Sequence, residues 1–256
     1  MNVLPNQNEQ KADATGLLIS VRNCTEASIA LASGVDVLDI KEPERGSLGM
    51  PDIATVKDIL NVLPKSQCVS LALGELNQFH NPVAEPFLDF LSHDQRINFV
   101  KLGLARMNTV SGWQQRWACV FEALPNSIVP VAVIYADQKH SGSPKPMEIV
   151  KHAKRLNCGA VLVDTFNKTM GNVFSHCDVH QLVDIRNCVI DQGMKFVLAG
   201  SVDVDCLASA VDLRPNLIGV RGAVCQLGIR QAQLSATAIG EFKHSLNRMM
   251  EISILN

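Results

Sequence analysis

Aromatic residues, basic runs and long apolar stretches are all scarce in this sequence. Aromatic residues make up 5% of its 256 residues, the formal net charge is -2, and no basic run is present, so nothing indicates a nucleic-acid partner. No apolar stretch approaches the roughly 20 residues that a membrane helix needs. The eight cysteines include no C-x-x-C spacing, which favours reduced thiols in a cytoplasmic protein over a disulfide framework.

Several functional signatures are also missing. The chain has neither the Gly-x-Gly-x-x-Gly fingerprint of dinucleotide-binding folds nor a P-loop, and it lacks the Gly-x-Ser-x-Gly elbow of serine hydrolases. The polar segment 1–15 has no apolar core and does not resemble a signal peptide. We expect residues 1–15 to form a disordered tail and residues 16–256 to form one catalytic domain.

What the sequence does contain is a regular alternation of two kinds of segment. Short apolar segments typical of buried strands occur at 17–21, 35–40, 68–73, 97–102, 128–134, 160–164, 196–199 and 217–220. Amphipathic segments typical of helices occur at 26–32, 53–63, 86–91, 113–124, 147–156, 179–192, 204–210 and 232–250. Eight strand–helix units predict an α/β fold of the (β/α)8 TIM-barrel type, with an open doubly wound sheet as the alternative.

Charged side chains occur where the predicted strands end. Asp39 and Lys41 are two apart, so they share one face of the second strand, and Lys101 lies inside the apolar fourth strand. Asp164 ends the sixth strand, with Lys168 four residues later. Barrels carry their chemistry at this end of the strands. A buried lysine can lose its proton and attack a carbonyl, helped by a second ammonium nearby, although structural ion pairs would explain the same residues.

The seventh and eighth predicted strands are followed by small or cationic residues. Gly200 and Ser201 follow the seventh strand, and Arg221 and Gly222 follow the eighth. Barrels often bind phosphate at this position with backbone N–H groups, and an arginine can bind the anion with two donors. Together with the lysines, these residues favour a phosphorylated carbonyl substrate.

Six blocks of sequence resemble the (5-formylfuran-3-yl)methyl phosphate synthase family of methanofuran biosynthesis. They are Asp-Ile-Lys-Glu-Pro-Glu-Arg-Gly-Ser-Leu-Gly at 39–49, Val-Lys-Leu-Gly-Leu at 100–104, Tyr-Ala-Asp at 135–137, Val-Asp-Thr at 163–165 with Lys168, Leu-Ala-Gly-Ser at 198–201 and Gly-Val-Arg-Gly-Ala-Val-Cys at 219–225. The blocks run in family order through nearly the whole chain after residue 16.

The resemblance implies a particular reaction. A (β/α)8 barrel would condense two molecules of glyceraldehyde 3-phosphate to 4-(hydroxymethyl)-2-furancarboxaldehyde phosphate, with loss of phosphate and water. It implies that Lys41 forms a Schiff base with a triose phosphate and that Lys101 accepts a proton. It also implies that Asp39, Asp164 and Lys168 assist proton transfer and phosphate elimination, without a metal or an organic cofactor.

Three other readings stay open at this stage. A class I aldolase acting on another sugar phosphate would need the same Schiff-base lysine, and a degenerate barrel that only binds a phosphorylated metabolite would need none. His176, Cys177 and His180 have a spacing able to bind zinc, but no further ligand set is evident. The outer helices of a barrel also make a homo-oligomer possible.

Overall fold

Eight parallel strands close into a barrel in chain order, which confirms the predicted (β/α)8 fold. The computed structural model describes residues 14–80 and 82–255, so the expected tail lies outside the described residues apart from residues 14 and 15. The strands are β1 Gly16–Val21, β2 Val37–Ile40, β3 Cys68–Glu75, β4 Phe99–Gly103, β5 Val129–Tyr135, β6 Ala160–Asp164, β7 Lys195–Leu198 and β8 Leu217–Val220.

Side-chain alternation divides each strand between two environments. In β2, Leu38 and Ile40 face the apolar layer between the sheet and the surrounding helices, whereas Asp39 lines the interior of the barrel mouth. The lower interior is filled by apolar side chains such as Val131, Leu162 and Val197. The barrel is thus packed with apolar side chains below, and its charged interior side chains open onto the cavity at the mouth.

The α-helices in the described residues surround this sheet. They are α1 Cys24–Ala32, α2 Ile53–Val62, α3 Ala84–His93, α4 Trp113–Glu122, α5 Gln138–Ser141, α6 Pro146–Arg155, α7 Val179–Asp191, α8 Leu207–Asp212 and α9 Ala236–Leu255. The start of α7 has a capping box, in which Asp178 and Gln181 each bond the other's backbone amide. Within the part of the chain that the structure describes, no helix is long and apolar enough to cross a membrane.

Several helices differ from the predictions. The single turn α5 was not predicted, because four residues ended by Gly142 at φ 61° are too short to show a period. Helix α8 begins at Leu207 rather than at 204, and α9 begins at Ala236 rather than at 232. The delay of α9 has a clear cause, since Cys225 and Leu234 form a β-bridge that holds the intervening segment as a loop over the mouth.

The loop after β2 also folds back over the mouth. The Glu42 amide donates to the Gly49 carbonyl at 2.8 Å, and a Cβ at Gly49 would lie 1.9 Å from the Glu42 carbonyl oxygen. Glycine is therefore required where the loop closes on itself. The closed loop buries Leu48 against Ala72 and Tyr135 at the top of the barrel interior.

Candidate active site

A cavity of about 480 Å³ opens at the carboxyl ends of the strands. All nine residues that the sequence analysis assigned to catalysis or phosphate binding line this cavity: Asp39, Lys41, Lys101, Asp164, Lys168, Gly200, Ser201, Arg221 and Gly222. They come from β2, β4, β6, β7, β8 and the loops that follow these strands. The parallel order of the strands brings them together, because every strand ends at the same rim.

Lys101 and Asp39 form a buried ion pair. The Lys101 Nζ lies 2.5 Å from Asp39 Oδ1, and both side chains are almost fully shielded from solvent. The Ser20 hydroxyl donates to the other carboxylate oxygen at 3.0 Å, which the register of β1 and β2 makes possible by pairing Ser20 with Asp39. The charge of this lysine is therefore matched by a carboxylate that is itself held in place.

Asp164 is the centre of a second buried cluster. Its carboxylate pairs with the Lys168 ammonium and accepts the Ser47 hydroxyl at 2.9 Å and the Thr165 amide at 2.8 Å. Burial by itself raises the pKa of a carboxyl group, but Lys168, Lys41 and Arg230 more than offset it and hold the pKa of Asp164 well below its ordinary value. Asp164 is therefore ionised at neutral pH.

Lys41 differs from the other two lysines because it has no carboxylate partner of its own. It is buried, and among residues 14–80 and 82–255 its amine has no hydrogen-bond acceptor or ion-pair partner. Burial lowers its pKa well below 10.5, and the positive charge of Arg230 lowers it further, with a smaller contribution from Lys101. The nearby carboxylates oppose this shift without reversing it. Lys41 is thus the amine best suited to be uncharged and nucleophilic.

The Arg221 guanidinium is occupied by internal acceptors. Nη1 and Nη2 donate to the buried Glu26 carboxylate at 2.8 and 3.1 Å, and the remaining N–H groups donate to the carbonyls of Ser20, Arg230 and Ala232. With all five donors used, the side chain has none left for an anion. That Arg221 binds phosphate stays a prediction, and this geometry favours a structural role.

Arg230 is a cation of the site that the sequence analysis did not identify. It lies in the loop between β8 and α9, lines the cavity, and donates from Nη2 to the carbonyls of Gly46 and Ser47 at 3.0 and 3.4 Å. In the described part of the chain, its Nε and Nη1 have no acceptor. Nothing in the local sequence signals this role, because the residue lies ten positions beyond the end of a strand.

The turn after β7 supplies unpaired backbone donors. Gly200 and Ser201 both adopt positive φ, 93° and 55°, and a Cβ on Gly200 would lie 3.1 Å from the Thr165 amide nitrogen. Among the described residues, no acceptor is present for the amides of Ser201 and Val202, which line the cavity. Free amides beside Arg230 form an environment suited to an anion.

No metal centre emerges from the described ranges. Within them, no group of three or more His, Cys, Asp or Glu side chains is arranged to hold a metal ion. Cys177, one of the possible zinc ligands, is buried and directs its thiol at the Ala136 carbonyl.

The fold and the cavity define a class: a (β/α)8-barrel protein with paired lysine and aspartate side chains at the carboxyl ends of its strands. Within that class the chain belongs to the 4-HFC-P synthase family, whose model matches residues 17–243. The resemblance inferred from the sequence blocks is confirmed. Relatives in this family are named as synthases, so the chain is an enzyme.

Named relatives cover most of the chain. A (5-formylfuran-3-yl)methyl phosphate synthase of Methanobrevibacter smithii is 30% identical over 231 residues, which are 89% of this chain and 97% of the relative. The protein of the same name from Methanococcus aeolicus is 31% identical over 218 residues, covering 84% of this chain and 92% of the relative.

Solved structures share the fold at low identity. Phosphoribosyl anthranilate isomerase from Thermotoga maritima superposes with a TM-score of 0.62 at 18% identity, covering 91% of this chain and 99% of that one. The isomerase from Thermus thermophilus gives a TM-score of 0.59 at 13% identity, covering 93% and 99%. These similarities support the barrel fold alone.

We expect the Glu26–Arg221 pair to be a major contribution to stability. Glu26→Gln leaves a buried guanidinium without its counter-charge, which should lower the free energy of unfolding by about 3 kcal/mol. Glu44→Gln, which removes the exposed partner of Arg22, is the control and should cost less than about 1 kcal/mol. Urea denaturation measures both values, and equal losses in the two variants would contradict the assignment.

The pKa of Lys41 predicts a pH dependence that Arg230 controls. The amine reacts only after losing its proton, so aldehyde labelling of Lys41 should rise with pH and level off well below pH 10.5. Arg230→Gln removes a charge that lowers this pKa, so the rise should move to higher pH. Peptide mass spectrometry after cyanoborohydride reduction measures the labelling, with Arg155→Gln on the outer helix α6 as the control. If the pH profile of labelling is unchanged in Arg230→Gln, the charge of Arg230 does not affect the pKa of Lys41.

Proposed function

We propose that the enzyme condenses two molecules of glyceraldehyde 3-phosphate to 4-(hydroxymethyl)-2-furancarboxaldehyde phosphate, as a step of methanofuran biosynthesis. The balanced reaction converts two triose phosphates into one furan phosphate, one inorganic phosphate and two molecules of water. Family membership supports the product class, and the unpaired, buried Lys41 supports the amine chemistry. In this proposal the enzyme is a Schiff-base-forming carbon–oxygen lyase.

The reaction begins at Lys41. Its neutral amine adds to the carbonyl carbon of one triose phosphate, and loss of the carbonyl oxygen as water leaves an imine. Protonation of the imine nitrogen makes the adjacent carbon acidic, so that loss of a proton there produces an enamine nucleophile. Arg230 favours the neutral amine before this step, because it disfavours a positive charge at Lys41.

Lys101 and Asp39 are suited to the proton transfers around this carbon. Both line the cavity with Lys41, and the Lys101–Asp39 pair can accept a proton from this carbon once it has given up one of its own. Asp164 and Lys168 face the same space and serve the elimination of phosphate, in which the carbon–oxygen bond breaks and its electron pair leaves with the phosphate.

The phosphate of the first triose is held between the two loops that follow β7 and β8. The unpaired amides of Ser201 and Val202 and the free Nε and Nη1 of Arg230 all face the cavity. Gly200 and Gly222 allow the backbone to approach the anion without a side chain in the way. We assign phosphate binding to Arg230 in preference to Arg221, because of these two arginines only Arg230 has N–H groups that are not already bonded within the described residues.

Lys41→Arg tests the nucleophile. The variant keeps a long polar side chain at this position but cannot form an imine, so borohydride in the presence of glyceraldehyde 3-phosphate should leave no adduct on the protein. Intact-mass spectrometry measures the adduct, and thermal denaturation confirms the fold. An adduct retained by Lys41→Arg would move the nucleophile to another lysine. An adduct on the wild-type enzyme without furan absorbance would favour a class I aldolase. If no adduct forms at all, the result would favour a binding protein.

Lys101→Gln tests the proton acceptor. Glutamine retains a hydrogen-bond donor toward Asp39, so the variant should fold and still form the Lys41 adduct. Furan formation should fall by about 10²- to 10³-fold, the range expected when a general base is lost. The absorbance of the furan aldehyde measures turnover. A rate equal to that of the wild type would remove Lys101 from the proton-transfer steps.

A further inference from the structure

A second cavity, of about 110 Å³, lies beside the main one. The segment 46–49 separates them: it lines the second cavity, while the Ser47 hydroxyl on this segment bonds to Asp164 of the main cavity. The second cavity lies over the ends of β3 and β4, and none of the residues used in the proposed function above lines it.

The floor of the second cavity carries a buried carboxyl group. Glu75 receives hydrogen bonds from the Tyr135 hydroxyl and from the Ala105 amide, the latter at 2.8 Å. Burial raises the pKa of Glu75 despite these bonds. The neighbouring Gly103 leaves room for the pair, since a Cβ there would lie 2.2 Å from the Glu75 carboxylate.

Two polar groups of this cavity have no partner in the parts of the chain that the structure describes. Asn77 Oδ1 is buried yet accepts no hydrogen bond, which costs stability unless a ligand supplies the donor. The exposed guanidinium of Arg106, at the rim, has no acceptor within 14–80 and 82–255. Arg45, the other arginine of the cavity, is already bound to Asp52 through two hydrogen bonds.

We infer that the second cavity binds the second triose phosphate, with its phosphate at Arg106 and its hydroxyl group at Asn77. This inference rests on the proposed function, which needs two such molecules. The arrangement matches two parts of the ligand: a cation at the open rim for the phosphate, and the Asn77 oxygen inside to accept a hydrogen bond from the hydroxyl group. At ~30 Å³ per water in the liquid, the space equals three or four waters, room for a three-carbon chain with the phosphate outside.

The dividing segment must move for the two substrates to react. Gly46 has φ 117° and open space around its Cβ position, but Arg230 bonds to the Gly46 and Ser47 carbonyls and Ser47 bonds to Asp164, so the movement requires these bonds to break. Displacing Ser47 and Leu48 would join the two cavities beside Lys41. Separate binding followed by joining would keep the two identical substrates in distinct orientations.

Arg106→Gln tests the rim. Borohydride trapping on Lys41 should stay within twofold of the wild type, because the first triose binds elsewhere, while the apparent KM for furan formation should rise at least tenfold with kcat little changed. Arg155→Gln removes an arginine far from both cavities and should change neither quantity. Unchanged furan kinetics in Arg106→Gln would overturn the inference, as would a parallel loss of trapping, which would place Arg106 in the first site.

Asn77→Leu tests the interior of the second cavity. Its readout is the apparent KM, which would not change if Asn77 served only the fold. Replacing an unpartnered buried oxygen with an apolar group should leave the melting temperature unchanged or higher, yet raise the apparent KM for furan formation. A lower melting temperature with unchanged KM would assign Asn77 to the fold and overturn its role as a ligand.

A binding measurement separates this inference from the proposed function. Glycerol 3-phosphate has no carbonyl group and cannot form an imine, so calorimetry counts its sites even if the wild-type enzyme makes no furan. Two sites per chain in the wild type and one in Arg106→Gln would support the second cavity. One site in the wild type would overturn the inference, whereas absence of furan with two sites present would overturn only the proposed reaction.

Discussion

Three lysines and two aspartates share the mouth of one barrel, and their charges must balance because these side chains are largely shielded from solvent. Asp39 is matched by Lys101, and Asp164 is matched by Lys168, so each carboxylate has a counter-charge beside it. Lys41 is left over, next to the positive charge of Arg230. Burial lowers the pKa of Lys168 even beside Asp164, but it lowers the pKa of Lys41 further below the usual range, because no carboxylate of the described residues is bonded to that amine. Pairing, more than burial, distinguishes the three lysines.

Two loops, which follow the two strands on either side of β1, keep this balance in place. Arg230, from the loop after β8, donates to the backbone of Gly46 and Ser47, and Ser47 in turn donates to Asp164. The loop after β2 can reach that far only because Gly49 lets it close on itself. The same contacts therefore shield Lys41, order Asp164 and separate the main cavity from the space over β3 and β4.

Much of the fold could be predicted because its signals are local. Apolar segments at regular intervals located all eight strands to within one or two residues at each end. The error at β7 is typical, since the predicted strand was 196–199 and the observed strand is Lys195–Leu198. The single turn α5 and the late start of α9 could not be found in this way. A four-residue turn has no measurable period, and the start of α9 depends on a bridge between Cys225 and Leu234.

The sequence by itself determined that Asp39 and Lys41 share a face and that the charged residues meet at one rim, because strand alternation and parallel order follow from local pattern. Only the tertiary structure decided which charges are paired. Arg221 follows a strand as expected, yet its guanidinium pairs with Glu26, 195 residues away. Arg230 instead keeps N–H donors that are not bonded within the described residues. Such pairings depend on contacts between segments that are distant in the chain, and the local pattern of apolar and polar residues does not predict them.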